Sequence, residues 1–246
     1  MRFGQKVVNR KNVLYGTAME CGAAPLKPTR RELRREERRE AILDVAGAAF
    51  LEHGYGGTTM SAIASALGGS KGTLWSYFPS KELLFAAVLD RAIVAFRAQL
   101  LLTLSEGEPV DVALGKFCRM YIERLSSAPA VALYRLVISG TRRSPEVGRI
   151  FYEHGPLPTL ELIGGYIECA MKRGALRSAD PFLAAQTLVA LCMARSQQRL
   201  LTGVCTGLDE AEVERDAADA LDLFLRAYCP EAPLSAQELA GSPARS

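Results

Sequence analysis

The sequence predicts an all-α chain of nine or ten helices. Three observations carry that reading. Apolar residues recur at i, i+3, i+4 in one segment after another, no segment alternates apolar and polar residues between hairpin turns, and Gly, Pro and Ser clusters interrupt the chain at helix-length intervals. With 246 residues, 49% hydrophobic and 23% charged, the chain can bury a substantial core as one large domain or two modest ones.

Residues 1–28 show neither period, lack a signal-peptide core and end in Ala-Ala-Pro-Leu-Lys-Pro, so they read as a disordered leader. A basic transit peptide and a start codon placed upstream of Met19 both account for such a segment. Thr29-Arg30-Arg31-Glu32 then spells a capping box, which opens the first helix. Its early turns stack like charges at i,i+4 and should be solvated; its later turns carry Ile42, Val45, Ala46, Ala49 and Phe50 on one face, up to a stop at Gly54. Two short helices follow, joined by Gly68-Gly69-Ser70. Thr58 or Thr59 can cap the first and Ser70 the second, which Pro79 must end. A longer fourth helix runs from Ser80 towards Leu104. Further helices are bounded by breaks at 126–129, 140–145, 155–156, 174–181 and 203–209, with Pro145, Pro156 and Pro181 at or near first turns, where a missing amide costs nothing. The tail after Pro230 reads as disordered. The resulting divisions are 1–28, 29–97, 98–229 and 230–246.

Composition excludes several classes of function. Six cysteines are scattered without a CxxC or Cys/His cluster, which argues against a zinc module, a redox dithiol or a disulfide scaffold and for a reducing compartment. They read as small buried apolar residues. Two histidines, His53 and His154, leave little for acid–base or metal chemistry, and His154 before Gly155-Pro156 reads as a cation at a helix end. Neither catalytic nor metal-ligating residues are expected, nor a cofactor. The longest strongly apolar run, Leu188 to Ala194, is far short of the ~20 residues a membrane span needs. Residues 1–40 hold 11 Lys/Arg against 5 Asp/Glu, while the remainder is mildly acidic. A basic front of this kind either meets a polyanion or is a solvated charge run.

The helix, glycine turn, helix unit at Thr59 to Phe78 frees its second helix to enter a DNA major groove, although a plain helical corner has the same pattern. The basic arm upstream and the groups Lys71, Thr73, Trp75, Ser76 and Tyr77, with no acidic residue among them, favour phosphate oxygens and base edges.

Gly54-Tyr55, Thr58-Thr59, Ile63-Ala64, Ser70-Lys71-Gly72-Thr73-Leu74-Trp75, Phe78 and Ser80-Lys81-Glu82-Leu83-Leu84 closely resemble the DNA-binding domain of the TetR/AcrR family of bacterial transcriptional repressors, over about residues 37–97. The resemblance implies a three-helix domain with a recognition helix from Ser70. It also implies a cytoplasmic, ligand-released homodimer on a palindromic double-stranded DNA operator, with a helical C-terminal domain for dimerisation and for a small apolar or amphipathic inducer. By that resemblance Thr58, Thr59 and Lys81 grip phosphates, while Lys71, Gly72, Thr73 and Tyr77 face bases or backbone. Gly69 and Trp75 depart from the family, which usually has a branched apolar residue and a tyrosine at these positions. Leu133-Tyr134-Arg135-Leu136-Val137, Ser144-Pro145-Glu146, Phe151-Tyr152-Glu153 and Gly155-Pro156 resemble the C-terminal domain of AefR-like members.

Phe117, Tyr121, Tyr134, Phe151 and Tyr166 lie on consecutive helices with Arg124 and Arg135 nearby; they are candidates for an inducer cavity, as well as for plain core. The last two long helices, about Pro181 to Leu201 and Glu210 to Tyr228, carry apolar stripes wide enough to serve a dimer, through Phe182, Leu188, Cys192, Val213, Ala217, Leu221 and Phe224. Two other classes compete. An all-helical enzyme would need convergent polar groups that no motif supplies, and an adaptor with a membrane-binding arm would need apolar residues among Arg30 to Arg39, where only Leu33 stands.

Overall fold

The computed structural model describes residues 29–68, 71–104 and 107–230, and of Lys71 the backbone alone. The expected leader and tail, with Gly69 and Ser70, lie outside the described residues. Within them every regular element is an α-helix: α1 (Arg30–Gly57), α2 (Met60–Ala66), α3 (Lys71–Tyr77), α4 (Lys81–Thr103), α5 (Val110–Ser126), α6 (Ala128–Thr141), α7 (Pro145–His154), α8 (Pro156–Lys172), α9 (Pro181–Met193), α10 (Gln197–Thr202) and α11 (Glu210–Tyr228). The expected single helix from Pro181 to Leu201 is divided, because the chain tightens to an Ala194 N to Leu191 O bond before α10 begins. Taken as one bent helix, α9 and α10 bring the eleven segments to ten.

The described residues divide into two units, one up to Glu37 and the other from Arg38 onward. In the first, Thr29 N donates to Glu32 Oε2 at 2.7 Å and Glu32 N to Thr29 Oγ1 at 3.3 Å, the capping box that the sequence spells. These bonds hold the Glu32 carboxyl below its usual range.

The second unit holds two apolar cores. One gathers Ile42, Leu43, Ala46 and Phe50 of α1 with Ile63, Leu74, Leu84, Phe85 and Leu89 of α2–α4, and with Leu136, Val137, Val147 and Ile150 of α6 and α7. The other joins Phe96 and Leu100 of α4 to α5, α8, α9 and α11. Helix α4 thus passes through both cores, and residue 97 marks no gap in the packing. Phe50, Tyr55 and Phe85 form an aromatic triad with ring centroids 5.1–5.7 Å apart. Along the middle of α4, Arg97 donates to the His154 carbonyl while His154 Nδ1 lies 3.0 Å from Asp90 Oδ1, so α4 is latched to the end of α7.

Candidate nucleic-acid interface and ligand cavity

Gly54, at φ 71°, breaks the course of α1 and aims the following residues back towards its body. Thr58 is buried, and its hydroxyl donates to the carbonyls of Ala49 and Gly54 at 3.0 and 2.8 Å. Thr59 is the residue that caps α2, accepting from Ala62 N at 3.1 Å. Arg38 donates to Leu67 O at 3.5 Å, tying α1 to the turn after α2. Gly68 follows at φ 62°, a left-handed conformation suited to the tight turn before α3.

Helix α3 turns Leu74 and Phe78 inward and leaves Gly72, Trp75 and Ser76 exposed, with Thr73 and Tyr77 half-buried between the two faces. Trp75, the chain's single tryptophan, is 47% exposed, which is unusual for so large an aromatic ring. The Ser76 hydroxyl donates to Thr73 O at 2.7 Å, which holds it on the helix surface. Lys81 stands apart from this surface. Its ammonium donates to Tyr55 O and Thr58 O at 3.1 and 3.3 Å and lies 4.1 Å from the Tyr55 ring centroid, closing the C-terminal end of α1. Of the residues expected to meet DNA, Thr59, Gly72, Thr73, Trp75, Ser76 and Tyr77 share the helix-turn-helix unit with outward or partly outward side chains or backbone. Thr58 and Lys81 are engaged inside the fold, Ser70 is outside the described residues, and only the backbone of Lys71 is described.

A cavity of about 170 Å³ opens between the two cores of the second unit. Tyr121, Arg124, Tyr134 and Phe151 line it, as expected from the sequence. Phe117, Tyr166 and Arg135 do not. Phe117 is fully buried against Tyr121, with centroids 5.3 Å apart, and Tyr166 lies in the core of α5, α8, α9 and α11. Arg135 donates to Leu200 O at 2.6 Å and Leu201 O at 3.2 Å, so it closes α10 instead. Gly47, Phe50 and Leu51 of α1, and Phe85, Val88, Ala92, Ile93 and Phe96 of α4, also belong to the wall, with residues of the α5–α8 segment such as Leu133, Gly155 and Thr159. Sequence inspection missed them because they read as the core faces of their own helices. Burial pushes the Tyr121 and Tyr134 phenols up, so both are neutral at ordinary pH. Thr159 turns its hydroxyl to Gly155 O at 3.2 Å, and Arg124 is the charged residue of the lining.

The residues expected at a dimer interface are mostly interior. Leu188, Cys192, Val213, Ala217 and Phe224 lie in the core with α5 and α8, Leu221 is partly buried against that core, and Phe182 reaches the surface. The stripes are wide because α9 and α11 each meet several neighbours of their own chain. Their outer faces present Leu183, Gln186 and Ala190, and Ala211, Arg215, Ala218 and Asp222.

Two family models match the chain: "Bacterial regulatory proteins, tetR family" over residues 42–88 and "AefR-like transcriptional repressor, C-terminal domain" over residues 112–230. The structure is similar to a TetR-family transcriptional regulator from Mesorhizobium loti, with a TM-score of 0.68 and 30% identity over 80% of this chain and 98% of that one. It is also similar to the flavonoid-responsive regulator FrrA, with a TM-score of 0.69 and 31% identity over 80% of this chain and all of the other. Among curated proteins, the transcriptional repressor ComR of Escherichia coli is 34% identical over 113 residues, 46% of this chain. The match spans only 54% of ComR's own length.

Proposed function

Because the chain belongs to the TetR family of bacterial regulatory proteins, we propose that it is a cytoplasmic transcriptional repressor that binds a palindromic operator as a homodimer and leaves it when a small molecule fills the cavity. The observation that carries the reading is the outer face of α3. It offers Gly72, Trp75 and Ser76, flanked by Thr73 and Tyr77, on a helix with no acidic residue, held from behind by Leu74 and Phe78. Such a helix can approach phosphates without repulsion and place donors and a stacking ring against base edges. Thr59 supplies a hydroxyl at the start of α2.

The effector half of the proposal rests on the cavity's walls. They include α1 and α4, which belong to the core that holds α3, so a ligand that fits only one spacing of these helices shifts the position of the reading helix. The flavonoid response of FrrA supports a small-molecule effector here as well.

The test selects binding sites from a random duplex pool with the purified full chain and measures affinity for the recovered site by anisotropy. Affinity for it should exceed that for random DNA by at least about 10³-fold and fall steeply with salt. Trp75 fluorescence should change on binding. Equal affinity for selected and random DNA, from folded protein, refutes the reading.

A further inference from the structure

We propose that the cavity selects an organic anion, an aromatic molecule carrying a carboxylate or comparable acidic group whose charge is met by Arg124. The inference rests on the cavity being the effector site and adds the chemical class of the effector. The wall sets Phe50, Phe85, Phe96, Phe151 and the two neutral phenols among aliphatic side chains such as Leu89, Ile93 and Leu133, an interior suited to a ring system. Its volume slightly exceeds the roughly 150 Å³ that suffices for benzene in an apolar cavity, so one ring is enclosed and a second ring or short chain lies towards the rim.

No Asp or Glu lines this wall. A cationic ligand would therefore lose its hydration with no counter-charge and beside the Arg124 cation, whereas Arg124 offers an anion a partner. Arg124 is half-buried in the last turn of α5 and makes no ion pair with the described residues, while Arg119 on the same helix is paired with Glu123, Glu210 and Glu214. Its guanidinium donates to Ala92 O at 2.6 Å, and Ala92 itself lines the cavity, so the group is pinned at the rim. A guanidinium has five N–H donors in a planar fork; with one engaged at Ala92, others remain for a carboxylate. The Ala92 bond also ties α5 to α4, so an anion drawing on Arg124 acts directly on the helix that runs into the DNA-binding core.

A matched series separates ring from charge: 2-naphthoate, 2-naphthalenemethanol and 2-naphthylmethylammonium, titrated calorimetrically into the full chain at neutral pH and physiological salt. The carboxylate should bind at least about tenfold more tightly than the alcohol, the size of one charge-assisted hydrogen bond, and the ammonium most weakly. Arg124→Met should bring the carboxylate to the level of the alcohol and leave the alcohol within about twofold, while Arg124→Lys retains part of the preference. The order in the unaltered protein suffices if the Met variant does not fold. Alcohol binding that equals or exceeds carboxylate binding overturns the inference. If that alcohol binding is also lost in Leu133→Trp, which fills the cavity, the effector site stands and only its charge selection falls. No binding by any of the three, from protein that still binds its selected DNA, overturns the anion assignment while leaving the DNA-binding reading intact.

Discussion

Lys81 sits at the first position of α4, where a lysine beside a DNA-binding unit reads naturally as a phosphate contact. Its ammonium instead closes the end of α1 on two carbonyls and the face of Tyr55. The sequence cannot reveal this, because the partners are 23 and 26 residues away and meet Lys81 only once Gly54 has turned the chain. Thr58 and Thr59 pose the same problem: both can cap, and the turn decides which one faces inward. The alternatives for Lys81 predict different measurements. Lys81→Met should lower stability by about 1–3 kcal/mol, as hydrogen bonds from a charged donor and a cation–π contact are lost. The salt dependence of DNA binding should be unchanged. A slope reduced by about one with an unaltered melting temperature would return Lys81 to the phosphates.

Most helices were legible from their punctuation. The capping box at Thr29, the opening of α4 at Ser80 and the prolines at first turns of α7, α8 and α9 stand where the periodic segments begin. The division between α9 and α10 was not, since Leu188 to Ala194 is apolar on every side and the end of α10 is held by Arg135 from a distant helix. The cavity is likewise a product of long-range packing, and only four of its expected residues line it, the others being consumed by neighbouring helices. The turn between α7 and α8 tests how tightly its wall is fixed. A Cβ at Gly155 would come 2.9 Å from Phe151 O and 3.5 Å from Ile93 Cδ1, and the first of these is backbone that cannot swing aside. Gly155→Ala should therefore cost about 1–3 kcal/mol in denaturant unfolding. Ile93 and Gly155 both line the cavity, so naphthyl ligands should weaken in the same variant. Unchanged stability and ligand affinity together would mean that the turn is looser than its geometry implies.

At the scale of the whole molecule, the proposed homodimer raises the question of which surface would join two copies. A buried stripe on α9 or α11 is already used. Phe224 is fully buried and stacks on Tyr228 at 4.6 Å, with α5 and α9 packed around it, so a charge placed there would disrupt the protomer before any partner was involved. The contact of Thr187 Oγ1, in the middle of α9, with Tyr228 Oη at the end of α11 at 3.5 Å, together with the ion pair of Arg195, just past α9, with Asp219 in the middle of α11 at 2.7 Å, makes α9 and α11 an antiparallel pair. The outer faces of that pair carry Leu183 and Ala190 on α9 and Ala211 and Ala218 on α11, small or apolar residues that let a second pair approach closely. A two-fold axis through this face would build a four-helix bundle and place two α3 helices on successive half-sites of a palindrome. The expected behaviour separates the two surfaces. Phe224→Ala should lose about 3–5 kcal/mol of stability whatever the protein concentration. Leu183→Glu combined with Ala218→Glu should leave the helical content intact, halve the mass in light scattering and abolish binding to the palindrome. A full-length protein that is monomeric at micromolar concentration, or a double variant that remains dimeric, would place the partner elsewhere.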